Sequence, residues 1–345
     1  MRRLLFSLLI AAAVVLPAAA QDISVPLMMP QIELSPDGTV LAVYESPAIV
    51  DFEITPDRLP IRLYDAESGA EIGTLEGTQN DLTNDVAFSP DGTRLASVHA
   101  NGQLLIWDVA GQTVIQQYDW LPMGNSRVNF MPDGSRLALI FSSGQYSNQA
   151  IFDLNAGAIV DIFQVRPATF RELQDSIGDI AALGRYGVLA QAISEQGALY
   201  GATPNGEVFV WDMEARTRTV LYPEAEGAPM RQNVRSLQIL DDGSLLFYDD
   251  LKAVTVRIVA GGTQTEYPFG GPSFALSDEG VLAYVQERAL YVVNLTQDSP
   301  EPALVETEID LRGMPQLAFL PDGRLLVGSF ISGEETSTIY RVTLN

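Results

Sequence analysis

The sequence contains no cysteine and a single histidine, His99. Without cysteine there is no disulfide framework, no thiolate nucleophile and no lipid thioether at a processed N-terminus. With one imidazole, any Ser-His-Asp or His-metal chemistry would have to run through His99. Neither a Gly-x-Ser-x-Gly elbow nor a His-x-x-x-His pair accompanies it, so it is read as a structural or solvent-facing side chain. Walker and dinucleotide-binding glycine patterns are missing too, which leaves nucleotide chemistry without support. Basic residues are scarce: 20 Lys and Arg stand against 44 Asp and Glu, a formal net charge of −24. Such a field repels phosphate backbones and anionic lipid heads, so nucleic acid is not an expected partner. The acids are spread along the chain without long like-charge blocks, as on a solvated surface rather than a disordered tail.

A leader is expected at residues 1–20. Arg2 and Arg3 form a basic start, Leu4 to Leu16 an apolar run, and Ala18-Ala19-Ala20 a small-residue cleavage site before Gln21. The run is too short for a spanning helix and no stop-transfer pattern follows it. The expectation is a signal peptide that releases a soluble bacterial protein, periplasmic or extracellular. Removing Arg2 and Arg3 leaves 18 basic against 44 acidic residues, a balance of −26. The remaining residues 21–345 exceed the usual size of a single core, which implies several domains or a repeat.

A repeat is present. The stretch Asp85 to Tyr118 holds four β-type runs, Val86 to Ser89, Leu95 to His99, Leu104 to Trp107 and Thr113 to Tyr118. Tight-turn signals separate them: Ser89-Pro90-Asp91-Gly92, Asn101-Gly102 and Ala110-Gly111. This is a four-stranded antiparallel meander, strands A to D. Its first turn recurs at Ser35-Pro36-Asp37-Gly38, Met131-Pro132-Asp133-Gly134, Ser194-Glu195-Gln196-Gly197, Leu240-Asp241-Asp242-Gly243, Ser277-Asp278-Glu279-Gly280 and Leu320-Pro321-Asp322-Gly323. Third-strand endings recur as Tyr64-Asp65, Trp107-Asp108, Phe152-Asp153 and Trp211-Asp212, with degenerate forms at Val256 to Ile258, Val292 to Asn294 and Tyr340 to Val342. The middle runs are apolar almost throughout and need burial on both faces; the fourth runs are mixed and should lie outermost.

The turn, the Trp-Asp endings and the period resemble those of WD40 and WD40-like repeat β-propellers. The resemblance implies an all-β fold, a seven-bladed propeller of four-stranded antiparallel blades. The Gly-His that opens a standard repeat is absent from every copy, which places the chain nearer the divergent exported bacterial type. It also implies that the His-Asp-Ser-Trp hydrogen-bond network of such blades cannot form. Ile23 to Met29 precedes the first meander, and the last copy ends one strand short at Leu344. The two segments should therefore pair and close the ring, which removes its open sheet edges.

The excess length falls at one end of the expected ring, in B–C and D–A connections. Glu45 to Pro60 and Gln164 to Gly187 are the long pieces, with shorter ones at Asp119 to Ser126, Pro223 to Gln232 and Ile331 to Thr336. Thr169 and Glu172 have capping-box spacing, and Phe170, Leu173, Ile177 and Ile180 recur at helical intervals; a helix and an irregular loop are both open there. Trp120, Phe170 and Arg171 are the candidate partner contacts on this face, being aromatic or Arg side chains in its connections. The turn aspartates Asp37, Asp91, Asp133, Asp242 and Asp322 are read as caps of their own turns. Asp81 with Asp85, Asp249 with Asp250, and Glu334 with Glu335 lack calcium-loop spacing and are read as solvated loop charges, so no metal and no cofactor is expected. The expected function is a monomeric, non-enzymatic protein-interaction or scaffold module that binds a protein or peptide. The alternatives are a lactonase-like propeller hydrolase or lyase with a central carboxylate or metal site, and a small-ligand or glycan sensor. An enzyme should gather carboxylates with Asn or Arg at the mouth of the central channel.

Overall fold

The computed structural model describes residues 22–27, 30–45, 60–76, 83–119, 126–143, 146–164, 188–203, 206–223, 234, 236–259, 262–312, 315–329 and 336–344. The expected leader at 1–20 and most of both long insertions lie outside them.

Strands follow one another as the repeat predicts. After β1 (Ile23–Val25), blade one is β2 (Pro30–Leu34), β3 (Val40–Glu45), β4 (Ile61–Asp65) and β5 (Glu71–Leu75). Blade two is β6 (Thr83–Phe88), β7 (Arg94–His99), β8 (Leu104–Asp108) and β9 (Thr113–Tyr118). Blade three is β10 (Arg127–Phe130), β11 (Arg136–Ser143), β12 (Tyr146–Asp153) and β13 (Ala158–Gln164). Blade four is β14 (Ala190–Ile193), β15 (Leu199–Ala202), β16 (Val208–Asp212) and β17 (Thr217–Tyr222). Blade five is β18 (Leu237–Ile239), β19 (Leu245–Asp249), β20 (Val254–Ile258) and β21 (Gln264–Tyr267). Blade six is β22 (Ser273–Leu276), β23 (Val281–Gln286), β24 (Ala289–Asn294) and β25 (Ala303–Val305). The last three strands are β26 (Gln316–Phe319), β27 (Leu325–Ser329) and β28 (Ser337–Val342). Seven separate four-stranded antiparallel sheets result, a seven-bladed propeller.

Closure occurs as expected. The seventh sheet runs β1-β28-β27-β26, so the N-terminal strand is its outermost member, with Ile23 opposite Ile339 and Val25 opposite Ser337. Ile23, Val25 and Leu27 are buried in one cluster with Leu41, Val43 and Tyr64 of blade one and Leu326 and Ile339 of blade seven. Each such side chain contributes about 1.5–3 kcal/mol by leaving water.

The turn chemistry explains the register. In the first A–B turn the Gly38 N–H donates to the Ser35 carbonyl at 2.8 Å, with Gly38 at φ 69°. A side chain at that φ would be strained, which is why the glycine is needed. All seven turn glycines adopt positive φ and donate to the residue three before them. Middle strands such as β7 and β8 are buried on both faces, whereas outer strands expose Ile115, Val160, Ile162, Val220 and Leu304. Bulky third-strand residues fill the wedge towards the preceding blade: Trp107 clusters with Ala42, Ile61 and Leu63 of blade one, and Trp211 with Met131, Ala138 and Ile151 of blade three.

Candidate functional site

The candidate contacts Trp120, Phe170 and Arg171 lie outside the described residues, as do Asp81, Glu334 and Glu335. Three places within the described residues carry polar or concave chemistry.

The first surrounds His99. It is buried, and Ser97 Oγ lies 2.8 Å from its Nε2 and 2.8 Å from Trp107 Nε1. The indole N–H can only donate, so Ser97 accepts from it, and the direction of the bond between Ser97 and His99 Nε2 follows the tautomer of the ring. The expectation that no such network could form is corrected: a three-membered Trp-Ser-His chain forms in blade two, because His99 comes from the end of the second strand instead of from a Gly-His opening. Burial lowers its pKa to about 4, so the ring is neutral at physiological pH. Ser97 is fully buried and out of a substrate's reach. Trp211 solves the same problem differently. It donates to Gln149 Oε1 at 2.7 Å, and Gln149 Nε2 reaches across to the Tyr200 carbonyl at 3.1 Å.

The second place is the channel side of blades one to three. The expectation of a solvated loop charge at Asp85 is corrected, because the residue lies within β6. Its Oδ1 accepts from the Tyr44 hydroxyl at 3.2 Å and meets Arg127 at 3.6 Å, while its Oδ2 accepts the Val128 N–H at 2.9 Å. As the innermost strand of its blade, β10 has a free edge, and the Asp85 carboxylate satisfies one of its donors. Burial raises the Asp85 pKa despite Arg127 and these hydrogen bonds. Glu33 on β2 adjoins the group; burial first and then the Asp85 charge push its pKa up to about 8. Glu33 and Arg127 retain accessible surface because they line the channel, with protein on their other sides. Asp249 is likewise not a solvated loop charge. It is buried, accepts the Tyr222 hydroxyl at 2.8 Å and caps the Leu251 and Lys252 amides. The sequence pattern missed Glu33, Tyr44 and Arg127. The available signal was a charged residue within each short A strand, Pro30–Leu34 and Arg127–Phe130, where the ring's centre must lie. Among the described residues no group of three or more His, Asp or Glu is placed to hold a metal ion.

The third place is the A–B turn end of blades five to seven. A groove of about 380 Å³ runs between blades five and six, and one of about 720 Å³ along blades six, seven and one. The turn aspartates at this end are engaged as expected. Asp91 accepts from the Thr93 N–H at 3.1 Å and from the Ser89 and Thr93 hydroxyls, which lowers its pKa to about 2. Asp37, Asp133, Asp242 and Asp322 bond the same way and are likewise lowered.

Known proteins share this architecture. The WD domain, G-beta repeat, matches residues 69–108. Among solved structures, the Cps50 (Swd1) beta-propeller domain of Myceliophteria thermophila superposes with a TM-score of 0.65 at 12% identity. The match covers 93% of this chain and 98% of that one. Kuenenia stuttgartiensis hydrazine synthase superposes with a TM-score of 0.63 at 15% identity, covering 95% and 98%. At these identities the likeness concerns the fold alone. No curated protein matches the sequence. The chain is a seven-bladed β-propeller, and one stretch of it, residues 69–108, matches a WD repeat.

Proposed function

We propose that the protein is an exported interaction module that binds a protein or peptide partner through the face of its B–C and D–A connections. Propellers with WD repeats generally serve protein interaction, and the asymmetry of the two ends carries the assignment of the face. At one end the A–B reversals close within a few residues, and most of their acids are engaged by their own turns. Every long connection, 46–60 between β3 and β4, 165–189 between β13 and β14 and 223–236 between β17 and β18, leaves from the other end. A rigid ring with long loops at one end concentrates binding residues there.

The test is capture from an envelope extract of the native host, with mass spectrometry of what is retained. A partner held by the parent should be lost from Trp120→Ala, Phe170→Ala, Arg171→Ala or a variant with 45–60 shortened to a two-residue turn. Retention by all of these variants sinks the assignment of the face.

A second reading, a propeller hydrolase or lyase, draws support from Glu33, Asp85 and Arg127 at the channel, the grouping expected of an enzyme. Against it, both Asp85 oxygens are already engaged within the protein. Turnover of an ester or lactone panel by the parent, abolished in Glu33→Gln, would establish it.

A further inference from the structure

We propose that the groove along blades six, seven and one is a second docking surface, which takes an extended peptide rich in Lys or Arg with alternating aliphatic residues. It goes beyond the loop-face partner, since it lies at the opposite end of the ring.

Three observations lead there. The first is shape. The groove of about 720 Å³ has an apolar floor that includes Leu34, Leu276, Phe319 and Leu344, and it opens along the ends of the third strands. The second is charge. In blade two the third turn residue, Asp91, is tied to Ser89 and Thr93; in blade six that position is Glu279, one methylene longer, with Asp278 before it. Neither Asp278 nor Glu279 makes a hydrogen bond or ion pair among the described residues, and Glu301 on the same groove makes none. The one guanidinium in the groove, Arg324, is neutralised by Glu67 and Asp322. The Ser277 to Gly280 turn also forms the wall of the neighbouring groove between blades five and six, beside Asp241 and Asp242. The field over this end is therefore negative: Asp242 is paired with Arg257 and Asp322 with Arg324, whereas Asp278, Glu279 and Glu301 have no such partner among the described residues, and a basic ligand complements them.

The third observation is backbone. In blade six the outer strand β25 has three residues and pairs only with Leu290 to Val292 of β24. The last two residues of β24, Val293 and Asn294, line the groove without an outer strand beside them, and the Asn294 carbonyl accepts the Gln297 N–H at 3.4 Å. The short outer strand leaves the groove open along its length, and an extended segment lying there places alternate side chains towards floor and rim. Cations on the rim side and aliphatics on the floor side follow from the lining.

The probe is a fluorescein-labelled nine-residue peptide alternating Arg with Leu, read by anisotropy against the full chain. Saturable binding that weakens as salt rises is expected. Glu279→Lys with Glu301→Lys, both surface changes, should lower affinity about tenfold with circular dichroism unchanged. The proposal is overturned if the Glu-Leu counterpart binds as well or if the double variant binds like the parent. Light scattering gives a further check. A dimer of the parent that the double variant dissolves would mean the groove holds a second copy, which also overturns the proposal. Neither result bears on capture through Trp120, Phe170 and Arg171, so the two assignments fail separately.

Discussion

Blades one to four and blades five to seven share one strand plan but end their third strands differently. In the first group an aromatic precedes Asp, and the ring of Tyr64, Trp107, Phe152 or Trp211 is buried against the preceding blade. The third-to-fourth strand ladder carries an irregularity in all four: at Leu63/Tyr64, Ile106/Trp107, Ile151/Phe152 and Val208/Phe209. The following carboxylate then caps the reversal, as Asp153 does for Asn155 and Asp212 for Glu214 and Ala215. In the second group the ending is aliphatic or Asn, those ladders are regular, and the outer strands shrink to four residues in β21 and three in β25 and β1. Both grooves open at this end, beside blades of the second group. The difference teaches that a large ring at the third-strand end goes with a displaced ladder to the outer strand, and an aliphatic side chain there with a regular ladder and a shorter outer strand.

The largest test of this comparison removes the strand that completes the weaker half. Deleting 22–27 strips three buried aliphatic side chains and exposes the outer edge of β28. A loss of about 5–8 kcal/mol is expected, visible as a large fall in melting temperature or as aggregation. An unchanged melting curve would show that the ring does not depend on this closure.

Next in size is the stronger half. Trp107→Phe removes the donor to Ser97 and shrinks a ring wedged against blade one, for an expected cost of about 2–4 kcal/mol. Hydrogen exchange should then quicken in β7 and β8 and leave β24 and β28 unaffected. Uniform quickening throughout the ring would dissolve the distinction between the halves.

The seven blades, the closure and the turn caps were legible in the sequence because each rests on local chemistry. Ser-Pro-Asp-Gly specifies its own reversal, and a strand left over at one terminus matches a strand missing at the other. The channel group was not legible, since Glu33, Tyr44, Asp85 and Arg127 come from three different blades and meet only when the ring forms. The structural reading of His99 holds, yet the exclusion of its network rested on a motif. What the network needs is an imidazole within reach of Ser97, whichever strand supplies it.

Glu33→Gln tests that channel group by pH. The folded protein holds the Glu33 proton up to about pH 8, whereas the unfolded chain releases it near the ordinary value of 4.5. Between those limits the native state binds more protons, so stability falls as pH rises from about 5 to 8. A neutral amide at this position carries no such penalty. The variant should lose less melting temperature than the parent over that interval, by several degrees, on a scale of about 2–4 °C per kcal/mol. Parallel curves would show that Glu33 is not protonated in the folded ring.

The smallest expected effect separates the engaged carboxylates from the free ones. Asp91, with its pKa lowered to about 2, is favoured as the charged form by Ser89 and Thr93. Its contribution is present above the unfolded value near 3.8 and is lost as pH falls through 2, the opposite sign to Glu33. Asp91→Asn should cost about 0.5–1 kcal/mol at pH 7 and shrink the loss of stability on acidification. Glu279→Gln, at the same place in a turn where the carboxylate bonds to nothing among the described residues, should leave the melting temperature unchanged and show only in the salt dependence of peptide binding. A cost for Glu279→Gln equal to that for Asp91→Asn would mean that Glu279 caps its turn after all. The unpaired charge of the groove would then reduce to Asp278 and Glu301.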